Sequence, residues 1–337
     1  MKNNLNTYGY LEFFEKGEGT ENVGRVSAAF QNRARVITEM GEVECDFDPS
    51  IGIPGRFDGV CTGDWVRVKP IPGGWRIDKI YPRKTHIVRM AAGPNKHEQL
   101  VSANNELTLI MTAMNKDFNL SRIERYLAAV LPGGSTPVVV LTKSDLADDP
   151  EGMIRETEKI SGGARVFAVS TVTGDGMSEL VGFMSHKTSA LIGMSGVGKS
   201  SLVNFLAGDE IMKVNAIREG DSRGRHTTTH RELIALKDSI ILIDTPGMRE
   251  MALWSSGGVD EMYEDIASIA AMCRFRDCRH QSEPGCKVRE AVEAGLIDKR
   301  RIRSFLLLKV EDVRAAAHEK RKMISKYARK PRRKGMD

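Results

Sequence analysis

Ser189-Ala-Leu-Ile-Gly193-Met-Ser-Gly-Val-Gly198-Lys199-Ser200-Ser-Leu-Val-Asn-Phe-Leu206 decides how the middle of this 337-residue chain folds. The apolar run Ser189–Ile192 predicts a strand, the next eight residues fit G-x-x-x-x-G-K-[ST], and Ser200 onward predicts a helix. A strand, a glycine-rich turn and a helix in that order form a phosphate cradle. The glycines let backbone N–H groups curl round an anion, and the helix N-terminus adds a favourable dipole. Gly193, Ser195, Gly196, Val197, Gly198, Lys199, Ser200 and Ser201 are therefore candidate nucleotide-binding residues. Lys199 is expected to reach the β/γ-phosphates, and Ser200 to ligate Mg²⁺.

The flanking strands carry matching chemistry. Downstream, Ile240-Ile-Leu-Ile-Asp244 runs into Thr245-Pro246-Gly247. An aspartate ending an apolar strand can hold Mg²⁺ through water, and Gly247 can offer its N–H to a γ-phosphate. Between the two lies Gly224-Arg-His226-Thr-Thr-Thr229, where Thr228, with Thr227 next to it, is the candidate that senses Mg²⁺ and the γ-phosphate. Upstream, Val138-Val-Val-Leu-Thr142-Lys143-Ser144-Asp145 ends in a loop whose aspartate suits the N1 and N2 hydrogens of guanine. Adenine offers no such pair of donors to a carboxylate. A second strand ends Val169-Ser170-Thr171, whose backbone suits the guanine oxygen. The base loops thus precede the phosphate loop, an order that is a circular permutation of the usual GTPase. It is allowed because such loops lie at the carboxyl ends of neighbouring parallel strands.

Around this core the pattern changes twice. Residues 1–90 read as short strands (GRVSAAF, ARVITEM, GEVECDF, DWVRVKP, GWRIDKI) with Gly and Pro between them, which predicts a small barrel. Residues 98–254 alternate apolar strands with helices, as a three-layer α/β domain does. Residues 258–330 read as helical, with Cys273-x4-Cys278-x-His280-x5-Cys286 near their start. Three thiolates and an imidazole suit a closed tetrahedral Zn²⁺ site. The other two cysteines, Cys45 and Cys61, lie far away, so the five make a poor disulfide set and a reducing cytosol is expected.

A net charge of +5 conceals an asymmetry: Lys299–Lys334 holds 15 Lys+Arg against three acids, leaving −7 for the rest. This basic run interleaves with Leu306, Leu307, Val310, Val313 and Ile324, and a basic amphipathic helix of that kind suits RNA phosphates. Arg329–Asp337 is expected to be disordered. In the barrel, Arg25, Arg33, Arg35, Arg56, Arg67, Lys69 and Arg76, with Trp65 and Trp75, are candidates for RNA contact. No apolar run approaches the roughly 18–20 residues that cross a bilayer, and no secretory signal opens the chain.

TKSD before GMSGVGKS, then RHTTT, DTPG and the Cys₃His spacing resemble the circularly permuted RsgA/YjeQ family of ribosomal GTPases over the whole chain. The resemblance implies an N-terminal OB-fold β-barrel, a central circularly permuted P-loop GTPase domain and a C-terminal helical zinc-binding domain. It also implies GTP hydrolysis stimulated by the 30S subunit, contact with 16S rRNA and a late role in that subunit's maturation. No DNA or membrane partner and a monomeric state are expected. Thr142 stands where many GTPases have Asn. Met248 stands where Ras-like enzymes place a water-orienting Gln, and the resemblance assigns that water to His226 instead. Two other readings stay open: an RNA-binding regulator that holds GTP only as a ligand, and a P-loop ATPase or kinase, against which TKSD argues.

Overall fold

A computed structural model describes residues 4–14, 22–48, 51, 59–90, 98–208, 231–244 and 258–328. His226, Thr227, Thr228, Gly247, Met248, Arg56 and the segment Arg329–Asp337 lie outside the described residues.

The five predicted N-terminal strands all form: β1 (Val23–Ala29), β2 (Arg33–Thr38), β3 (Gly41–Phe47), β4 (Trp65–Ile71) and β5 (Gly74–Ile80). They close into a barrel in the order β1-β2-β3-β5-β4, with β3 and β5 parallel and the other pairs antiparallel. Alternation along each strand turns Val26, Val36, Cys45, Val66, Val68 and Ile77 into one fully buried core. Before the barrel, a single 3₁₀ turn (Leu5–Tyr8) and a short helix α1 (Tyr10–Phe13) lay Tyr10, Phe13 and Phe14 against Trp65, with ring centroids 5.4–5.7 Å away.

Between the barrel and the next sheet, β6 (His86–Met90) and β7 (Glu98–Ala103) pair antiparallel as a hairpin. The central sheet then comprises β8 (Leu107–Ala113), β9 (Thr136–Thr142), β10 (Arg165–Val169), β11 (Thr188–Gly193), β12 (Glu232–Ala235) and β13 (Ile241–Asp244). Its order is β10-β9-β8-β11-β13-β12, all parallel except the edge strand β12. Two apolar clusters cover its faces, one around Leu109, Val140 and Leu191, the other around Ile110, Val139 and Ile192. Successive residues of the same strands supply opposite clusters, as a sheet buried on both sides requires. Helices α2 (Leu120–Val130), α3 (Pro150–Ile160), α4 (Met177–Met184) and α5 (Lys199–Ala207) connect the strands.

The remainder is helical: α6 (Gly258–Met262), α7 (Glu264–Ala270), α8 (Lys287–Glu293) and the 30-residue α9 (Lys299–Ala328). The first half of α9 docks on the central domain. Arg300 bonds the fully buried Glu124 of α2 at 2.8 Å, Ser304 bonds Ser121 at 2.8 Å, and Glu311 pairs with Arg125 at 2.7 Å. No helix among the described residues is long and apolar enough to cross a membrane.

Candidate functional site: a phosphate loop beside a base loop, and a Cys₃His cluster

The phosphate loop leaves the end of β11 and enters α5 at Lys199. Gly193 (φ +148°) must be glycine, because a Cβ there would meet the Met111 carbonyl oxygen at 2.5 Å. Lys199 Nζ donates to the Gly193 and Met194 carbonyls at 2.8 and 2.6 Å, folded into the arch of its own loop. Burial pushes its ammonium below the ordinary lysine range, and the charge of Asp244 opposes that shift. The same burial holds the Asp244 carboxyl above the usual carboxylate range, against the pull of Lys199. The two groups therefore act on one another electrostatically across β11 and β13. Ser195, Gly196, Ser200 and Ser201 are exposed along the loop and first turn, while Val197 is buried beneath them.

The base loop is tied directly to this arch. Thr142, the last residue of β9, donates its hydroxyl to the Val197 carbonyl at 2.6 Å and lies 3.3 Å from the Thr112 carbonyl. Lys143, in the left-handed region at φ +59°, donates Nζ to the Gly196 carbonyl at 2.8 Å. Asp145 follows on a single 3₁₀ turn, exposed to solvent. At the end of β10, Ser170 is fully buried, and its hydroxyl accepts from the Val172 and Thr173 N–H groups at 3.2 Å each. Ser170 thus shapes its loop, leaving Thr171 half-buried and Val172 84% exposed at the rim.

The second cluster needs no long-range pairing, since all four donors come from one loop between α7 and α8. One donor atom from each of Cys273, Cys278, His280 and Cys286 lies within 4.8 Å of the others. His280 Nδ1 is 3.6 Å from the Cys273 sulfur and 3.4 Å from that of Cys286. Three soft thiolates and one imidazole, brought together with no fifth such donor among the described residues, fit a closed tetrahedral Zn²⁺ site. The loop is wound by Glu283, whose carboxylate accepts from the N–H groups of Arg279, Gln281 and Ser282 at 2.9–3.0 Å. Its own backbone N–H first, and then these donors, pull its carboxyl down to about 2. Cys286 also caps α8, accepting from the Arg289 N–H at 3.4 Å.

Of the barrel residues that the sequence suggested for RNA contact, Arg25 and Trp65 are turned inward, while Arg33, Arg67 and Lys69 stay at the surface in ion pairs. Arg25 is 1% exposed, lies over the fully buried Trp65 ring at 5.3 Å, and donates to the Tyr8, Gly63 and Asn104 carbonyls, the last at 2.9 Å. It bolts the barrel to the N-terminal segment and to the residues after β7, so neither side chain is available to stack on a base. Arg33 pairs with Glu44 and Asp46, Arg67 takes Asp78 in a two-pronged bond, and Lys69 lies near Asp48 and Asp78.

Comparison with known proteins agrees with this arrangement. A family model described as the RsgA GTPase matches residues 80–254, and another, described as a 50S ribosome-binding GTPase, matches residues 188–334. A Streptomyces avermitilis protein named small ribosomal subunit biogenesis GTPase RsgA is 39% identical over 318 residues, covering 93% of this chain and 86% of its own length. A Listeria innocua protein named small ribosomal subunit biogenesis GTPase RsgA 1 is 38% identical over 340 residues, covering 97% and 94%. Among solved structures, YjeQ from Thermotoga maritima superposes with a TM-score of 0.62 at 25% identity, covering 87% of this chain and 98% of its own. YloQ, a circularly permuted GTPase, gives 0.59 at 21% identity over 95% and 99%, a likeness of fold.

Proposed function

The chain belongs to the RsgA GTPase family, and from that membership we propose that it couples GTP hydrolysis to a late step in maturation of the small ribosomal subunit. It is a GTPase of ribosome biogenesis. The finer reading is that it docks on the 30S subunit and its 16S rRNA, acts as a monomer, and turns over faster when docked. The observation that carries the chemistry is the hydrogen-bonded union of Thr142 and Lys143 with Val197 and Gly196. That bond fixes the distance between a base reader and a phosphate cradle, as one nucleotide spanning both requires.

Within that frame each residue has a task. Asp145 pairs with the guanine N1 and N2 hydrogens, and the backbone at Ser170 and Thr171 meets the guanine oxygen. The loop from Gly193 to Ser201 wraps the phosphates. When GTP arrives, Lys199 is displaced from the carbonyls of Gly193 and Met194 and its charge passes to the β/γ-phosphates. Ser200, Thr228 and Asp244 would hold the nucleotide's Mg²⁺, which neutralises charge developing on the phosphates. Gly247 offers its N–H to the γ-phosphate, and His226 positions the attacking water.

Two features of the C-terminal module support an RNA partner. Its basic α9 is one. The other is a groove of about 720 Å³ between the Cys₃His loop and α9, where Arg276, Arg279 and Arg314 rim a mainly apolar lining that includes Phe305, Leu306 and Val310. One family model mentions the 50S particle, whereas relatives spanning nearly the whole chain carry the small-subunit name. Turnover measured with purified 30S or 50S subunits decides between them. The expected result is a rise of more than about tenfold with 30S, equivalent to about 1.4 kcal/mol of barrier, and none with 50S. His226→Ala should lose that rise and keep GTP affinity. No response to 30S, or an equal response to 50S, would overturn the reading.

A further inference from the structure

Helix α9 leaves part of an apolar stripe uncovered. Leu306, Val310 and Val313 recur at i, i+4 and i+7, the spacing that puts side chains on one helical face. Leu306 is half-buried, whereas Val310 is 50% and Val313 62% exposed. All three line the groove of about 720 Å³ beside the Cys₃His loop, and α7 adds the small side chains of Ala267 and Ala270.

The helices that form this groove are braced against each other. Arg301 of α9 takes Asp265 of α7 in a two-pronged bond at 2.7 and 2.9 Å, and the Tyr263 and Phe305 rings lie 5.4 Å apart. Lys309 is spent internally on Asp260 of α6. Arg276, Arg279 and Arg314, by contrast, are exposed and pair with no acid among the described residues. An open apolar strip between such cations calls for a partner that brings apolar side chains and carboxylates together.

Charge narrows the choice of occupant. This chain's own residues from Lys320 onward hold nine Lys+Arg against one acid, so the arginine rim repels them. A second copy presenting the same groove would set arginines against arginines. An RNA would satisfy the arginines, but bases bind by stacking on aromatic rings, and Phe305, the phenyl ring of the lining, is 3% exposed. An acidic amphipathic helix meets both demands by laying its apolar face along the groove. The span from Leu306 to Val313 is roughly 11 Å, the length of about two helical turns.

We propose that this groove docks an amphipathic helix of a partner protein, its apolar stripe on Leu306, Val310 and Val313 and its flanking Asp or Glu residues on Arg276, Arg279 and Arg314. The contact is separate from the nucleotide site and from the basic tail, and it requires neither GTP nor a ribosomal subunit.

Fluorescence anisotropy on the full chain loaded with Zn²⁺ tests this with a labelled helical peptide of about 18 residues, leucines at i, i+4, i+7 and i+11 flanked by glutamates. Saturable binding with Kd below about 100 μM is expected, weakening as salt rises. Val310→Asp/Val313→Asp sets carboxylates on the apolar strip and should weaken binding at least about tenfold. Both valines are exposed, so the fold and unstimulated GTP hydrolysis should be kept. Arg276→Glu/Arg279→Glu should weaken the glutamate peptide and make the chain prefer a lysine-flanked version. A glutamate peptide with serines in place of its leucines should not bind; attraction to the basic tail alone would leave it bound. Equal binding of that serine peptide, parent-like binding by the valine variant, or no binding by the parent chain overturns the proposal. A single-stranded RNA of about 12 nucleotides that displaces the peptide, and loses affinity in the valine variant, would assign the groove to RNA instead.

Discussion

Thr142 shows how one atom can carry a site. Its hydroxyl has a single proton, and the 2.6 Å bond to the Val197 carbonyl takes it. Thr142 is 4% exposed and Val197 6%, so water has little access to replace that donor. Thr142→Val keeps the shape and removes the proton. It should cost about 1–3 kcal/mol, the penalty for leaving a buried carbonyl unpaired. Denaturant unfolding measures this, and affinity for a GTP analogue should fall with it as the base loop loosens from the phosphate loop. Unchanged stability would mean that the Val197 carbonyl finds another donor. The residue types at the site were legible in the sequence because G-x-x-x-x-G-K-[ST], TKSD and the Cys₃His spacing each specify chemistry at fixed intervals. Burial was not legible. Arg25 and Trp65 look like a cation and a stacking ring in any basic barrel strand, and only the packing of Tyr8, Phe13, Phe14 and Asn104 around them makes them a bolt.

Among elements, the strands were the most legible part of the chain, since all five barrel strands and the six strands of the central sheet follow apolar runs bounded by turn residues. The hairpin β6–β7 was not. The predicted boundary falls between residues 90 and 98, yet the flanks His86–Met90 and Glu98–Ala103 pair with each other. Polar punctuation marks a turn, but whether its flanks pair or part depends on what they pack against. Here Gly133, after α2, sits against the His86 backbone so closely that a Cβ would come within 1.9 Å of its carbonyl oxygen. The docking of α9 was equally hidden, because Glu124 sits in a helix like any surface acid, yet it is fully buried and paired with Arg300 of α9. Arg300→Ala would strand that carboxylate and should cost about 3–5 kcal/mol, as removing one partner of a buried pair does. Arg300→Met/Glu124→Gln should cost clearly less, because no charge is left behind. Unfolding of the two variants in urea gives the comparison, and equal losses would show that packing, not charge, dominates this joint.

At the scale of the whole molecule, the separation of charge along the chain is the property that composition alone conceals. The barrel's described cations mostly meet acids on neighbouring strands or on β12, whereas the C-terminal run carries 15 Lys+Arg against three acids. Near the start of α9 some of that excess is spent inside the protein: Arg300 on Glu124, Arg301 on Asp265 and Lys309 on Asp260. The residues from Lys320 onward hold nine Lys+Arg and one acid. If these serve an RNA partner, they act through phosphates, and binding must weaken with salt in proportion to the contacts made. Each phosphate contact contributes about 0.7–0.9 to the slope of log affinity against log salt. A chain ending at Glu319 keeps the nucleotide site and the Cys₃His loop, so its unstimulated GTP hydrolysis should persist. Its affinity for 30S subunits should fall at least about tenfold near 100 mM salt, and the slope should drop by about 2–4 if three or four of the nine cations reach phosphates. Co-sedimentation over a salt series measures both quantities in one experiment. A truncated chain that binds 30S with the parent's slope would show that the basic tail serves solubility and that docking falls to the barrel and the groove beside the Cys₃His loop.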